Sequence, residues 1–598
     1  MKRKRNFRYY LAGLVSLITF IVYLASLRNE FVNWDDDVYI LDNPHIRSID
    51  GAFFRWAFFD FYDSNWHPLT WITHAFDYVA WGLNPLGHHL TNIVLHALNT
   101  FVVVFLIIGL IEVLKGKIVA DGLSLFHDER TILIVGGVTG ILFGLHPLHV
   151  ESVAWVAERK DLLSALFFLL SITAYTKYVG NLNNNVVQKP ILLFSNKHYL
   201  FSLAFFVLAL LSKPMAVSLP FVLLILDRYP FKRMESCKTV QIILAEKLPF
   251  LVFSLVSAVL TVLAQKSGGA MGLTEPVPFA TRISVAANSL VSYLWKMILP
   301  LNLVPFYPYP RNVSPLSLAN LLSIFIVVGI TVICFVNAKR HKAWLSLWGY
   351  YVVTLMPVLG IVQVGRQSMA DRYTYLPSLG PFLIMGLVAA WGLAKTNRLK
   401  GGNLIVKLLG ISMAIVVFVS MTYLTFKQIG IWKNSISLWS YVIDKRTDFS
   451  IAYNNRGNAF AKMGSFDKAI SDYDKAIALN RSYYDAYNNR GVAFAKMDQI
   501  DKAITEFSKA IALDPSNYRA YGNRGLAFDN MGESDKAIAD FDKALALNQN
   551  DANSFANRGL VHLKIHQVGL AISDFKKACD LGNNFGCNAL GYPVKNGS

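Results

Sequence analysis

The chain has 598 residues, is 54% hydrophobic and carries a formal net charge of +18. Positions 448–598 hold 18 Lys+Arg against 17 Asp+Glu, so the basic excess belongs almost wholly to the first 447 residues. A nucleic-acid-binding array would carry the basic face itself, so this distribution excludes that class; basic residues flanking apolar segments set membrane topology instead.

Apolar runs close to the roughly 20 residues that span a bilayer recur through the first 430 positions. The basic arm Lys2, Arg3, Lys4, Arg5 and Arg8 precedes the run 11–27, with no small-residue cleavage pattern after it. It reads as an uncleaved anchor with a cytoplasmic N-terminus. Further spans are predicted near 91–112, 131–147, 162–178, 199–212, 214–228, 248–265, 317–336, 343–361, 377–394 and 404–426, about eleven in all. The stretch 282–300 contains Arg282, Asn288, Ser289, Ser292 and Lys296 and is assigned to the interface. That parity keeps Lys339, Arg340, Lys342 and Lys395, Arg398, Lys400 in the cytoplasm. It puts loops 28–90, 148–161, 266–316 and 362–376, and everything after the last span, on the outer side of an inner or plasma membrane.

Those outer loops gather the unusual polar residues. Phe31-Val32-Asn33-Trp34-Asp35-Asp36-Asp37 follows the anchor; Trp66-His67-Pro68 and Asn84-Pro85 with His88-His89 come next; His146-Pro147-Leu148-His149-Val150-Glu151 ends the third span. Ionisable residues clustered at one membrane face mark a functional site by default. A transporter would instead line a path near the midplane. A non-catalytic, membrane-anchored scaffold for envelope proteins would need one anchor and no Asp pair, and stands as the alternative reading.

After a connecting helix at 431–447, the region 448–598 repeats every 34 residues, the period of the tetratricopeptide repeat (TPR). Asn-Arg-Gly recurs at 455–457, 489–491, 523–525 and 557–559, with Ala469, Ala503, Ala537 and Ala571 in phase. Four repeats and a capping helix are expected, forming an α-solenoid with a concave face suited to an extended peptide. Asn455, Asn489, Asn523 and Asn557 are expected to align along that face, where an amide matches the C=O and N–H of a peptide backbone; the competing reading is that they tie neighbouring helices. Cys579 and Cys587, eight apart, either bridge the last helices or pack as small core residues. Packing is the reading adopted.

The motifs Asp35-Asp36, Ile40-Leu41-Asp42-Asn43-Pro44, Asn84-Pro85, His89 to Asn92, His96 to Asn99, His146 to Glu151, Asp161-Leu162-Leu163, Ser212-Lys213 and Asp371 to Ser378 resemble, in this order, the transmembrane and TPR-repeat-containing O-mannosyltransferases. The resemblance implies an all-α protein: a polytopic GT-C-like transmembrane domain over 1–430 followed by the TPR solenoid. It implies transfer of mannose or another hexose from a polyprenyl-phosphate carrier to a Ser or Thr of an extracytoplasmic protein.

The residues suit that chemistry. An attacking alcohol needs a base, for which Asp35 is the first candidate and Asp36 the second. A departing phosphate needs cations, not a second acid; Lys213, Arg372, Arg366 and His67 are the candidates. His89, His146, His149, Glu151 and Asp371 are read as active-site scaffold. No metal ligand set is assigned, and the Asp pair suits a divalent ion as well as a base.

Overall fold

The computed structural model describes residues 2–115, 128–182, 195–267, 278–309, 317–361, 367–398 and 404–591. The chain divides into two compact units, Met1–Asn434 and Ser435–Ser598.

In the first unit, α1 (Lys2–Tyr23) leads to the short α2 (Gly51–Phe59) and α3 (Pro68–Trp81). Then come α4 (Pro85–Lys115), α5 (Glu129–Leu145), α6 (Val150–Ala154), α7 (Arg159–Gly180), α8 (Lys197–Ser212) and α9 (Leu219–Arg228). The remainder is α10 (Cys237–Ser267), α11 (Phe279–Ile298), α12 (Leu318–Val336), α13 (Lys342–Leu355), α14 (Leu379–Arg398) and α15 (Leu404–Ile431). Two short strands, β1 (Tyr307–Pro308) and β2 (Gln367–Met369), pair antiparallel.

Among the described residues seven helices are long and apolar enough to cross a membrane, or eight if the pair Glu129–Leu145 and Pro147–Ala154, bent by 50°, counts as one span. Against the eleven expected, 199–212, 214–228 and 343–361 fall short: α8 has 16 residues, α9 has 10 and α13 has 14. Proline explains two of the shortfalls, because Pro214 and Pro357 sit in 3₁₀ turns that interrupt the α-helix. Contacts nevertheless show what these pieces traverse. Lys213, after α8, meets Asp161 at the start of α7, while Tyr175 near the end of α7 meets Asp227 near the end of α9. Segment 213–227 therefore covers the same interval as 161–175, about 21 Å at 1.5 Å per residue. Along α11, by contrast, Arg282, Ser289 and Tyr293 all bond to the connecting segment between α13 and α14, at Ile361, Ser368 and Ala370. It lies along one layer and is not among the candidate spans.

Close packing and buried charge hold these helices. Gly136, Gly140 and Gly144 recur every fourth residue on α5, and a Cβ there would strike Ile108, Val104 and Thr19 of its neighbours; this small-residue stripe lets helix backbones approach. At the end of the bundle remote from Asp35, Asp227, Glu246, Arg233 and Lys247 balance two charges against two around the Tyr175 hydroxyl. Lys247 Nζ lies 2.7 Å from Asp227 and Arg233 Nη2 2.7 Å from Glu246. Such charges are tolerable in an apolar bundle because each is paired.

The second unit is a stack of helices: α16 (Ser435–Lys445), α17 (Ser450–Lys462), α18 (Phe466–Leu479), α19 (Tyr484–Lys496), α20 (Ile500–Leu513) and α21 (Tyr518–Asn530). It continues through α22 (Ser534–Leu547), α23 (Ala552–Lys564), α24 (Val568–Asp580) and α25 (Asn584–Ala589). Each letter of the repeated Asn-Arg-Gly has a separate physical job. Glycine admits an aromatic ring: a Cβ on Gly491 would lie 2.7 Å from Phe507 and one on Gly525 3.1 Å from Phe541. Arginine braces helices. Arg456, Arg490, Arg524 and Arg558 each pair with an acid sixteen residues later, Asp472, Glu506, Asp540 or Asp574. Each also reaches sixteen residues back, to Ser440, Asp474, Ser508 or Asp542. The partner Ser440 makes α16 the second helix of an incomplete leading repeat.

Asparagine joins adjacent first helices. Asn523 donates to Asn488 (2.9 Å), Asn488 to Asn489 (3.3 Å), Asn489 to Asn454 (3.1 Å) and Asn454 to Asn455 (3.2 Å). Asn455, Asn489 and Asn523 are thus bonded to Asn454 and Asn488, the arrangement of the competing reading in which they tie neighbouring helices. The relay stops at Asn523, because Gly522 lacks the amide that would carry it on toward Asn557. Cys579 and Cys587 form a disulfide between α24 and α25, correcting the expectation of simple packing.

Candidate active site

The segment after α1 turns sharply at 35–41 and sends its two leading carboxylates in different directions. Asp36 points inward: its Oδ1 accepts the Ala157 N–H at 2.8 Å and its Oδ2 the Val32 N–H at 3.0 Å, and the residue is buried. Burial pushes its carboxyl up to about 7. With both oxygens taken by backbone, Asp36 latches this loop to the turn before α7. Asp35 keeps 28% of its side-chain surface exposed, with Lys160 Nζ 3.9 Å away. Burial pushes Asp35 up to about 6, against the pull of Lys160.

The start of α7 supplies what the sequence reading missed. Glu158, Arg159 and Lys160 are consecutive, and at about 100° per helical residue they face three ways. Arg159 is fully buried and binds Asp77 (2.5 Å), Asn92 (2.8 Å), the Thr73 carbonyl (3.1 Å) and the His88 carbonyl (2.9 Å). It ties α3, α4 and α7 together. Glu158 is the hub of the charged cluster: Lys160 lies 3.3 Å, Lys213 3.1 Å and Arg372 Nε 3.2 Å from it. Lys213 also reaches Asp161 at 2.6 Å, and Arg372 pairs with Glu151 through its side chain and its own N–H. Three cations thus meet beside Asp35, held by Glu158, Glu151 and Asp161. Asp371 faces away to accept the Tyr307 hydroxyl at 2.9 Å, and burial pushes it up to about 6. Arg366 lies outside the described residues.

His67 precedes α3 at the end of a two-residue hairpin. Tyr62 and Asn65 exchange backbone hydrogen bonds (3.0 and 2.9 Å) around Asp63 and Ser64, whose φ values of 47° and 61° are left-handed. Burial, helped by the charges of Lys160 and Lys213, holds His67 well below the usual histidine range.

The other histidines are fixed by carbonyls. His96 Nε2 donates to Gly144 O and its Nδ1 accepts from Tyr375; His149 Nδ1 donates to Phe143 O and its Nε2 faces Ser378; His146 Nε2 donates to Met297 O and its Nδ1 accepts the Leu148 N–H. Both nitrogens of each ring are engaged in the packing of α4, α5 and the segment before α14, a scaffold role. His89 is buried at the start of α4. Among the described residues no group of three His, Cys, Asp or Glu converges as a metal site.

Two hollows lie within the first unit. Asp161, Lys213, Arg372, Tyr373 and Leu376 line a small polar one. An apolar groove of about 150 Å³ runs between α4, α7, α9, α13 and α14, lined by Leu106, Ile172, Val222, Tyr350 and Leu379 among others. The two meet where the Tyr350 hydroxyl donates to the Leu376 carbonyl at 2.9 Å.

The repeat region matches the family models described as TPR repeat, over residues 457–498, and tetratricopeptide repeat, over 484–517 and 518–551. The chain is similar to protein O-mannosyl-transferase TMTC1 of Homo sapiens, 31% identical over 181 residues, which cover 28% of this chain and 18% of that protein. It is 25% identical to protein O-mannosyl-transferase TMTC4 of Homo sapiens over 413 residues, 61% of this chain and 53% of that one. The match thus spans under a fifth of the first relative's length and about half of the second's. A crystal structure of MamA matches 25% of this chain and 86% of its own at 26% identity, with a TM-score of 0.23. The protein is an all-α membrane protein carrying C-terminal TPR repeats, similar to the TMTC protein O-mannosyl-transferases.

Proposed function

We propose that the chain is a glycosyltransferase that moves a sugar, mannose by the names of its relatives, from a polyprenyl-phosphate carrier to a Ser or Thr hydroxyl. The observation that carries the reading is the convergence of Lys160, Lys213 and Arg372 on Glu158, with Lys160 beside the partly exposed Asp35 and an apolar groove whose Tyr350 bonds to Leu376 of the hollow that Lys213 and Arg372 line. The polyprenyl tail lies in the groove and the carrier phosphate against Lys213 and Arg372. Asp35 takes the proton from the acceptor hydroxyl as its oxygen attacks the anomeric carbon. The bond from that carbon to the phosphate oxygen breaks, and the cations neutralise the charge left on phosphate. Asp36 is occupied by two N–H groups, so Asp35 is read as the base and not as half of a carboxylate pair. The displacement is single and inverts the anomeric centre. The site faces the outer side, and the TPR array recognises the acceptor protein there.

The test uses the full chain in nanodiscs with polyprenyl-phosphate mannose and a Thr-containing peptide. Asp35→Asn should lower turnover by about 100-fold or more while leaving thermal stability unchanged, because the one ion pair Asp35 makes is long, at 3.9 Å. Full activity in Asp35→Asn would refute the assignment. No transfer by the unaltered protein would refute the function.

A further inference from the structure

Among the described residues, two hydroxyls that line the small polar hollow with Lys213 and Arg372 have hydrogens that no acceptor takes. Ser164 is the first: it stands one helical turn after Lys160 on α7 and is 3% exposed. Serines and threonines inside helices commonly bond the carbonyl four residues back, as Thr173 and Thr176 of the same helix do at 2.8 and 2.9 Å. Ser164 makes no such bond, and among the described residues its hydroxyl has no other partner. A buried hydroxyl left unpaired is costly, so one kept on the wall of a polar hollow points to a ligand.

Tyr373 is the second, and it is half-buried. One end of the Gln367 amide faces Arg372 Nη2 at 3.4 Å and must be the oxygen, because a guanidinium only donates. The other end, Nε2, therefore donates to the Tyr373 oxygen, and the tyrosine's own hydrogen is left over. Lys213 adds a third N–H beyond the two that go to Glu158 and Asp161. The charges here are already matched: Lys160, Lys213 and Arg372 face Glu158, Glu151 and Asp161. Uncharged donors add hydrogen bonds to an anion that no neighbouring acid cancels.

The hollow, at about 20 Å³, has room for about one oxygen atom. Resting on the carrier reading above, we infer that one non-bridging oxygen of the carrier phosphate enters it and accepts from Ser164, Tyr373 and the spare N–H of Lys213. The apolar groove meets the hollow at Tyr350 and Leu376, so the ligand is a phosphate on a lipid and not free phosphate.

Equilibrium binding of two radiolabelled lipids to the full chain in nanodiscs tests this: a short-chain polyprenyl phosphate and the polyprenol of the same length, which lacks the phosphate. Ser164→Ala should weaken the phosphate lipid about tenfold, the worth of one hydrogen bond to an anion, and leave the alcohol within about twofold. Its melting temperature should hold or rise, because Ala is the better helix former and the lost hydroxyl was unpaired. Tyr373→Phe keeps the ring, whose centroid lies 5.0 Å from Arg372 Cζ and 6.0 Å from Lys213 Nζ, and should cause the same selective loss. Equal weakening of both lipids would make these residues packing, and displacement of the lipid by an equal concentration of inorganic phosphate would make the hollow a free-anion site; either result overturns the inference. If the unaltered protein binds no polyprenyl phosphate, the carrier reading falls and takes this assignment with it. Tight binding that neither variant weakens would mean that the hollow holds water only, and overturns the roles of Ser164 and Tyr373 alone.

Discussion

Replacing Asn488 by Ala separates a structural from a recognition role for the asparagine relay. Asn488 donates to Asn489 at 3.3 Å and accepts from Asn523 at 2.9 Å, so truncation removes both bonds. Each is worth about 1 kcal/mol, and the better helix propensity of Ala returns roughly half a kcal/mol. Overpacking adds nothing, because Gly522 and Ala556 occupy the same position in later repeats. The net loss is about 1–2 kcal/mol, or roughly tenfold faster hydrogen exchange at 1.4 kcal/mol per decade. Exchange measured by mass spectrometry on the full chain should show this acceleration in α19 and α21, with the first unit unchanged. Combined with Asn523→Ala in a double-mutant cycle, the pair should couple by about 1 kcal/mol, the bond that both singles remove. Binding of an acceptor peptide to the folded variant should be retained. Unchanged exchange, additive singles and lost peptide binding would together show that the amides read a ligand after all.

Gly491→Ala should destabilise its repeat by about 1–2 kcal/mol net, because a Cβ 2.7 Å from Phe507 overpacks by more than the helix propensity gained; Gly525→Ala, at 3.1 Å from Phe541, should be close to neutral. Equal exchange rates in the two variants would remove the steric account. Transfer activity should fall about tenfold per pH unit below pH 6, since protonated Asp35 cannot accept a proton, and level off above it. An acid limb centred near 4, the ordinary aspartate value, would mean that burial does not raise Asp35 in the working protein.

The repeats were legible because the same contact recurs every 34 residues, so the spacing carries the geometry. What each letter does was not legible: the amide relay depends on Asn454 and Asn488, which lie beside the motif, and on a crossing between helices that spacing does not encode. The gathering of polar loops was legible from the sequence, yet α8, α9 and α13 are shorter than a span by length. Their passage shows only through pairs such as Lys213 with Asp161 and Asp227 with Tyr175.

Within the site the sequence exposes residue type but not direction. Asp35 and Asp36 are chemically identical neighbours, and only the backbone N–H groups of Val32 and Ala157 make one of them a latch and leave the other open. The run Glu158-Arg159-Lys160-Asp161 reads as a solvated turn, since charge runs usually are. The signal against that reading was its setting, between Ala154-Trp155-Val156-Ala157 and the apolar run from Leu162, where ionisable groups are costly unless they act or are paired. Helical rotation then gives the four residues four tasks. Glu158 gathers the cations, Arg159 locks three helices, Lys160 faces Asp35 and Asp161 holds Lys213. The base and the phosphate cations of the proposed reaction are therefore set at a fixed separation by a single turn of α7. That is why a substitution at Arg159, which touches neither reacting group, would disturb both.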